Sequence, residues 1–132
     1  MTPLPTREAS FLNLDRYGVL GAARSGQAAA ALLLELGKTV TLFDDFARED
    51  DPACQALAQN GVRLRFGTPG APGAPGGDLE AVQALVCSPG IPLGHALLQA
   101  AARRGLPVVA EVELGWLCAP RSRFAAVTGT NG

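Results

Sequence analysis

Tyr17-Gly18-Val19-Leu20-Gly21-Ala22-Ala23-Arg24-Ser25-Gly26-Gln27-Ala28-Ala29-Ala30-Ala31-Leu32-Leu33-Leu34-Glu35-Leu36-Gly37 sets a short apolar run, a small-residue loop and an alanine- and leucine-rich stretch in succession. Tyr17–Leu20 predicts a strand and Ser25–Leu36 a helix, because alanine and leucine lose little on entering a helix and Gly37 ends it. A strand passing through glycines into a helix is where a G-x-G-x-x-G nucleotide fingerprint sits. Gly21 and Gly26 fit that spacing and Ala23 stands at the middle glycine. Exposed amides at the helix start, with the Ser25 hydroxyl beside them, suit an anion even so. A loop of small residues that serves helix packing alone is the competing explanation.

The same alternation continues outward. Thr39–Phe43 predicts a second strand, ending at Asp44-Asp45. Pro52–Asn60 predicts a helix, with Asp51 placed to cap it, Pro52 at its first position and Gly61 after its end. Val62–Phe66, Ala84–Cys87 and Pro107–Ala110 predict three more strands, and about His95–Arg104 and Glu111–Leu117 further helices. Gly67–Asp78 is a glycine-proline tract that holds neither helix nor sheet, so a surface loop is expected. Five strands joined by helices imply an α/β, Rossmann-like, doubly wound, mainly parallel five-stranded sheet with helices on both faces. Residues 1–118 form that domain in this reading. Residues 119–132 then hold a linker at Ala119-Pro120, a sixth short strand at Phe124–Val127 and the start of another domain.

Composition bounds the function. The chain has 132 residues, 48% hydrophobic and 17% charged, with a net charge of -1. One ordinary globular domain is expected, with no basic footprint for nucleic acid. No apolar run approaches the roughly 20 residues that span a bilayer, and the N-terminus lacks a signal-peptide order, so a cytoplasmic protein off the membrane is expected. Cys54, Cys87 and Cys118 form no metal or disulfide pattern and are expected as small buried hydrophobes. No metal site is anticipated.

Three places at the carboxyl ends of strands can carry chemistry. Asp44 follows the glycine loop by about 20 residues, where a carboxylate accepts from ribose hydroxyls or equally from a planar ring N–H. Asp45, Glu49, Asp50 and Asp51 next to it also read as a solvated acidic loop. Ser88-Pro89-Gly90-Ile91 forms a rigid turn after the fourth strand, on the edge where open α/β sheets collect ligands. His95 is expected to cap or pack its helix, since no carboxylate stands near it in sequence. Val127-Thr128-Gly129-Thr130-Asn131-Gly132 after an apolar strand looks like the front of a phosphate-binding loop, without the lysine of the full motif.

Together these pieces resemble the Mur ligase family: Val19-Leu20-Gly21 with Arg24-Ser25-Gly26, Asp44, Ser88-Pro89-Gly90-Ile91, Glu111-Val112-Glu113-Leu114 and Thr128-Gly129-Thr130-Asn131-Gly132 occur in the family's order. The similarity spans nearly the whole chain, and the Ser-Pro-Gly-Ile turn and the Thr-Gly-Thr-Asn-Gly loop, taken together, are its specific signatures. The resemblance implies an N-terminal domain gripping the UDP group of UDP-N-acetylmuramoyl-L-alanine. The whole enzyme would add D-glutamate in peptidoglycan synthesis, using ATP and Mg²⁺ to form an acyl phosphate. Carried over by position, it implies UDP contacts from Arg24, Ser25, Gly26, Asp44, Asp45, Gly67, Ser88 and Gly90. Phe46 stands where the family often has a base-covering arginine, with Arg48 two residues on. Gly129, Thr130, Asn131 and Gly132 would begin the ATP loop of a following ATPase domain. No catalytic residue falls within these positions, and no cofactor is expected to be held tightly by them. The chain is therefore expected to bind but not to ligate. A dinucleotide-binding domain of an oxidoreductase or redox sensor, using NAD(P) on the same loop and Asp44, is the alternative.

Overall fold

A computed structural model describes residues 11–47, 49–67, 79 and 81–118. Five strands, β1 (Arg16–Leu20), β2 (Thr39–Asp44), β3 (Arg63–Phe66), β4 (Ala84–Cys87) and β5 (Val108–Ala110), form one sheet in the order β3-β2-β1-β4-β5. Every pairing is parallel, with Leu20 of β1 beside Phe43 and Cys87. Four helices connect or follow them: α1 (Arg24–Glu35), α2 (Pro52–Gln59), α3 (Ala96–Arg104) and α4 (Glu111–Cys118). This is the expected α/β architecture. The sixth strand predicted at Phe124–Val127, and the glycine-proline tract after Gly67, lie outside the described residues.

Side-chain alternation along the strands sorts the core into two layers. Tyr17, Val19, Val40, Leu42 and Val86 face one side, where Ala30 and Leu33 of α1, Leu57 of α2 and Leu114 of α4 cover them. Leu20, Phe43 and Leu85 face the other, against Leu97 and Ala101 of α3 with Leu79 and Val82. The sheet is thus covered on both faces, which is why β4 and β5 are continuous apolar runs, while β3 at the sheet's edge alternates Arg63 and Arg65 with Leu64 and Phe66.

Boundaries shift by a residue or two for local reasons. Asp51 caps α2 as expected, its carboxylate accepting from the Ala53 and Cys54 amides at 2.9 and 3.3 Å. His95 stands just outside α3 as its N-cap, and its ring nitrogen takes the Leu97 amide in place of a helical carbonyl. Beneath the sheet, at the amino ends of the strands, Gln83 Oε1 accepts from both the Asp15 and Arg16 amides at 3.0 Å. Tyr17 donates its buried hydroxyl to the Phe11 carbonyl, and Lys38 lies 5.8 Å from the Tyr17 ring centroid. These ties close the lower edge. The upper edge is left to the loops.

Candidate functional site

Strand order decides where a ligand can enter. The chain winds from β1 outward through β2 to β3, then returns to the other side of β1 for β4 and β5. The connections leaving β1 and β4 therefore diverge to opposite faces, and a crevice opens above the carboxyl ends of these two strands. The loop Gly21-Ala22-Ala23 and the turn beginning at Ser88 are its walls.

Both fingerprint glycines are required there. Gly21 has φ 111°, and a Cβ on it would meet Ser88 Oγ at 2.4 Å, so the loop and the turn sit back to back. A Cβ on Gly26 would fall 1.7 Å from the Gly21 carbonyl oxygen, so only glycine lets α1 start this close to the strand. Ala23, at the middle position, is the exposed N-cap of α1 and offers no side-chain cap. The amides of Arg24, Ser25 and Gly26 have no helical carbonyl to bond, and no acidic side chain lies in that first turn. Arg24 and Ser25 are exposed.

A carboxylate from elsewhere reaches this helix start. Glu111, the first residue of α4, accepts the Ser88 hydroxyl proton, and its Oε1 lies 3.5 Å from where a Gly26 Cβ would stand. Ser88 is 8% exposed, a buried hydroxyl satisfied by this bond. Sequence reasoning missed Glu111 as a site residue. The signal was present, because it stands at the carboxyl end of β5 as Asp44 stands at the carboxyl end of β2. A cleft of about 410 Å³ runs from this point between α1 and α4, lined by Ser25, Ala28, Pro89, Glu111, Val112 and Gly115. A second, of about 400 Å³, lies across the Ser88 turn, with Ile91, Leu93, Leu98 and Val108 among its walls. Gly90 is exposed, with open space beside it.

In the acidic segment after β2, Glu49, Asp50 and Asp51 are exposed, whereas Asp44 and Asp45 are half-buried and bonded. Asp44 Oδ2 accepts from the Ala22 amide at 2.7 Å, and Oδ1 accepts from the Phe46 and Ala47 amides at 2.8 and 2.7 Å. Its carboxylate ties the glycine loop to the β2–α2 corner. Three of its roughly four lone-pair directions are occupied by backbone. Asp45 meets His95, whose Nε2 lies 2.9 and 3.1 Å from its two oxygens. No carboxylate stands near His95 in sequence, but folding brings Asp45 to it, and the expected capping role stands. The partner is 50 residues away along the chain, beyond the reach of any local pattern. Phe46 is 89% exposed on the same corner, and Gly67 lies alongside, its amide donating to the Asp44 carbonyl at 3.0 Å. Arg48 and Gly129–Gly132 lie outside the described residues.

Cys87, next to Ser88, has its thiol pushed up by burial first and by the Glu111 charge second. It is not an activated nucleophile. Among the described residues no group of three or more His, Cys, Asp or Glu side chains is placed to hold a metal ion. No helix among them is long and apolar enough to cross a membrane.

Comparison with known proteins bears on this edge. Residues 15–110 match the family model described as Mur ligase MurD-like, N-terminal domain. The chain is 36% identical over 126 residues to the UDP-N-acetylmuramoylalanine–D-glutamate ligase of Streptococcus uberis, covering 96% of this chain and 27% of that protein. It is 40% identical over 114 residues to the ligase of the same name from Streptococcus pneumoniae, covering 86% and 24%. The chain thus spans about a quarter of the length of these curated relatives. Among solved structures, UDP-N-acetylmuramate:L-alanyl-gamma-D-glutamyl-meso-diaminopimelate ligase from Neisseria meningitides superposes with TM-score 0.63 at 17% identity, over 77% of this chain and 30% of that one. UDP-N-acetylmuramate–alanine ligase from Thermotoga maritima gives TM-score 0.59 at 13% identity, over 76% and 21%. At those identities the two structures speak for the fold alone.

Proposed function

The chain belongs to the family of Mur ligase MurD-like N-terminal domains, and from that premise we propose that it grips the nucleotide half of UDP-N-acetylmuramoyl-L-alanine for a ligase that adds D-glutamate to it. The reaction serves peptidoglycan synthesis in the cytoplasm. The observation that carries the reading is the crevice at the sheet's switch point, where an uncapped helix start and an aromatic, acidic corner stand side by side.

In this reading the diphosphate lies at the start of α1, on the amides of Arg24, Ser25 and Gly26 with the Ser25 hydroxyl, because free amides and the helix dipole favour an anion there. The pyrimidine lies toward β2, its face on Phe46 and its ring N–H toward the Asp44-Asp45 corner, near Gly67. Ser88 and Gly90 wall the crevice on the β4 side. ATP and Mg²⁺ belong to the whole ligase; they supply the activation of the substrate's carboxylate, and Gly129, Thr130, Asn131 and Gly132 would contribute to the ATP loop. The chain by itself binds and does not ligate.

Calorimetric titration with uridine diphosphate and, separately, NAD tests the reading. Saturable uridine diphosphate binding with no NAD binding is expected. Tighter binding of NAD, or no binding of uridine diphosphate, would overturn it.

A further inference from the structure

His95 has both ring nitrogens committed. Nδ1 accepts from the Leu97 amide at 3.1 Å, so it carries no proton. The ring proton of the neutral tautomer therefore sits on Nε2 and is donated to Asp45. The imidazole is 7% exposed and Asp45 23% exposed, so the contact is sheltered without being sealed.

What this bond joins matters more than its energy. It runs from the start of α3, past the end of β1, to the corner after β2. The opposite side of that corner is held by Asp44 on the Ala22 amide. The β2–α2 corner is thus fixed from both neighbouring loops. On it stands Phe46, with its backbone amide bonded to Asp44 and its ring exposed. The exposed ring offers a flat apolar face on which a planar base can stack. Beside it, the Asp45 carboxylate receives one proton from His95 and keeps further lone pairs for a donor.

Resting on the nucleotide-binding reading above, we propose that His95 is a positioning residue for base recognition: it holds the Asp45 carboxylate so that its remaining lone pairs face the ring N–H of a pyrimidine stacked on Phe46. His95 does not itself touch the ligand. Uracil carries a donor at ring N3 and cytosine an acceptor, so a fixed carboxylate there favours the first and repels the second.

The two duties of His95 can be separated. In H95N the Asn oxygen replaces Nδ1 as the cap of α3, but its amide ends short of the Nε2 position. In H95Q the amide reaches toward Asp45 while the cap is weakened. Calorimetry on the 132-residue chain, with uridine diphosphate and cytidine diphosphate as probes, reads the difference. H95N is expected to keep its thermal midpoint, to lose about tenfold in uridine diphosphate affinity with cytidine diphosphate binding unchanged or tighter, and H95Q to recover part of the loss. D45A should give at least that loss, and the double variant H95N/D45A no more than D45A alone. Unchanged uridine diphosphate affinity in H95N, an equal loss for both nucleotides, or additive losses in the double variant would each overturn the proposal while leaving the nucleotide site standing. A parent chain that fails to bind uridine diphosphate removes the nucleotide reading itself.

Discussion

Glu111 places a negative charge at the helix start that otherwise favours an anion. Its oxygen lies near Gly26 and accepts a hydrogen bond from the Ser88 hydroxyl, so it fixes the turn while opposing a diphosphate at the neighbouring amides. Glu111→Gln keeps an acceptor for Ser88 and removes the charge. Uridine diphosphate should then bind roughly three- to tenfold more tightly at low salt, an advantage that shrinks as ionic strength rises. Affinity unchanged across that salt range would place the diphosphate away from Glu111. Gly26 is the other residue whose identity is dictated outright. Gly26→Ala forces its methyl into the Gly21 carbonyl, and about 3 kcal/mol of stability should be lost as α1 moves off the strand, measured by urea unfolding. His95 and Glu111 were the residues least legible in sequence, since each acquires its meaning from a partner brought close only by folding.

At the scale of elements, the strands and helices follow from local signals. Short apolar runs give β1, β2 and β4, Asp51-Pro52 starts α2, and Gly105 closes α3 at φ 69°. What joins the elements is less local. Asp44 ends β2, yet its carboxylate organises the start of α1 through Ala22 as well as its own corner. Asp44→Ala should therefore cost stability as well as ligand affinity, by about 2–3 kcal/mol, since three amides lose a charged acceptor. Asp51→Ala, which releases only the cap of α2, should cost about 1 kcal/mol and leave nucleotide affinity unchanged. Equal effects of the two substitutions on affinity would argue against Asp44 as the link between the loops.

For the molecule as a whole, packing against the two apolar layers shifts three thiols and a phenol, with Cys54 and Tyr17 buried and Cys87 and Cys118 half-buried. Burial is the leading cause in Cys54, Cys87, Cys118 and Tyr17, and all four are raised from ordinary values of 9.0 and 10.0. A raised group of this kind keeps its proton in the folded chain at a pH where the unfolded chain has lost it. Its contribution is full below the ordinary value and falls as pH rises through the folded value. Thermal midpoints should accordingly decline above about pH 9, and alkylation of the buried Cys54 at neutral pH should track unfolding. A midpoint constant up to pH 11 would contradict this.

The sequence by itself determined the period of each element, its stops and caps, and the glycines at the first loop, because those depend on neighbours within a few residues. It also carried the family signature, since the quoted motifs are short and ordered. The tertiary structure alone decided which carboxylate meets which partner: Asp44 with Ala22 across 22 residues, Ser88 with Glu111 across 23, and His95 with Asp45 across 50. The reason is geometric. Strand order, which no local pattern encodes, sets which loops share the carboxyl edge, and a hydrogen bond of about 3 Å exists only once that order has brought its two ends together.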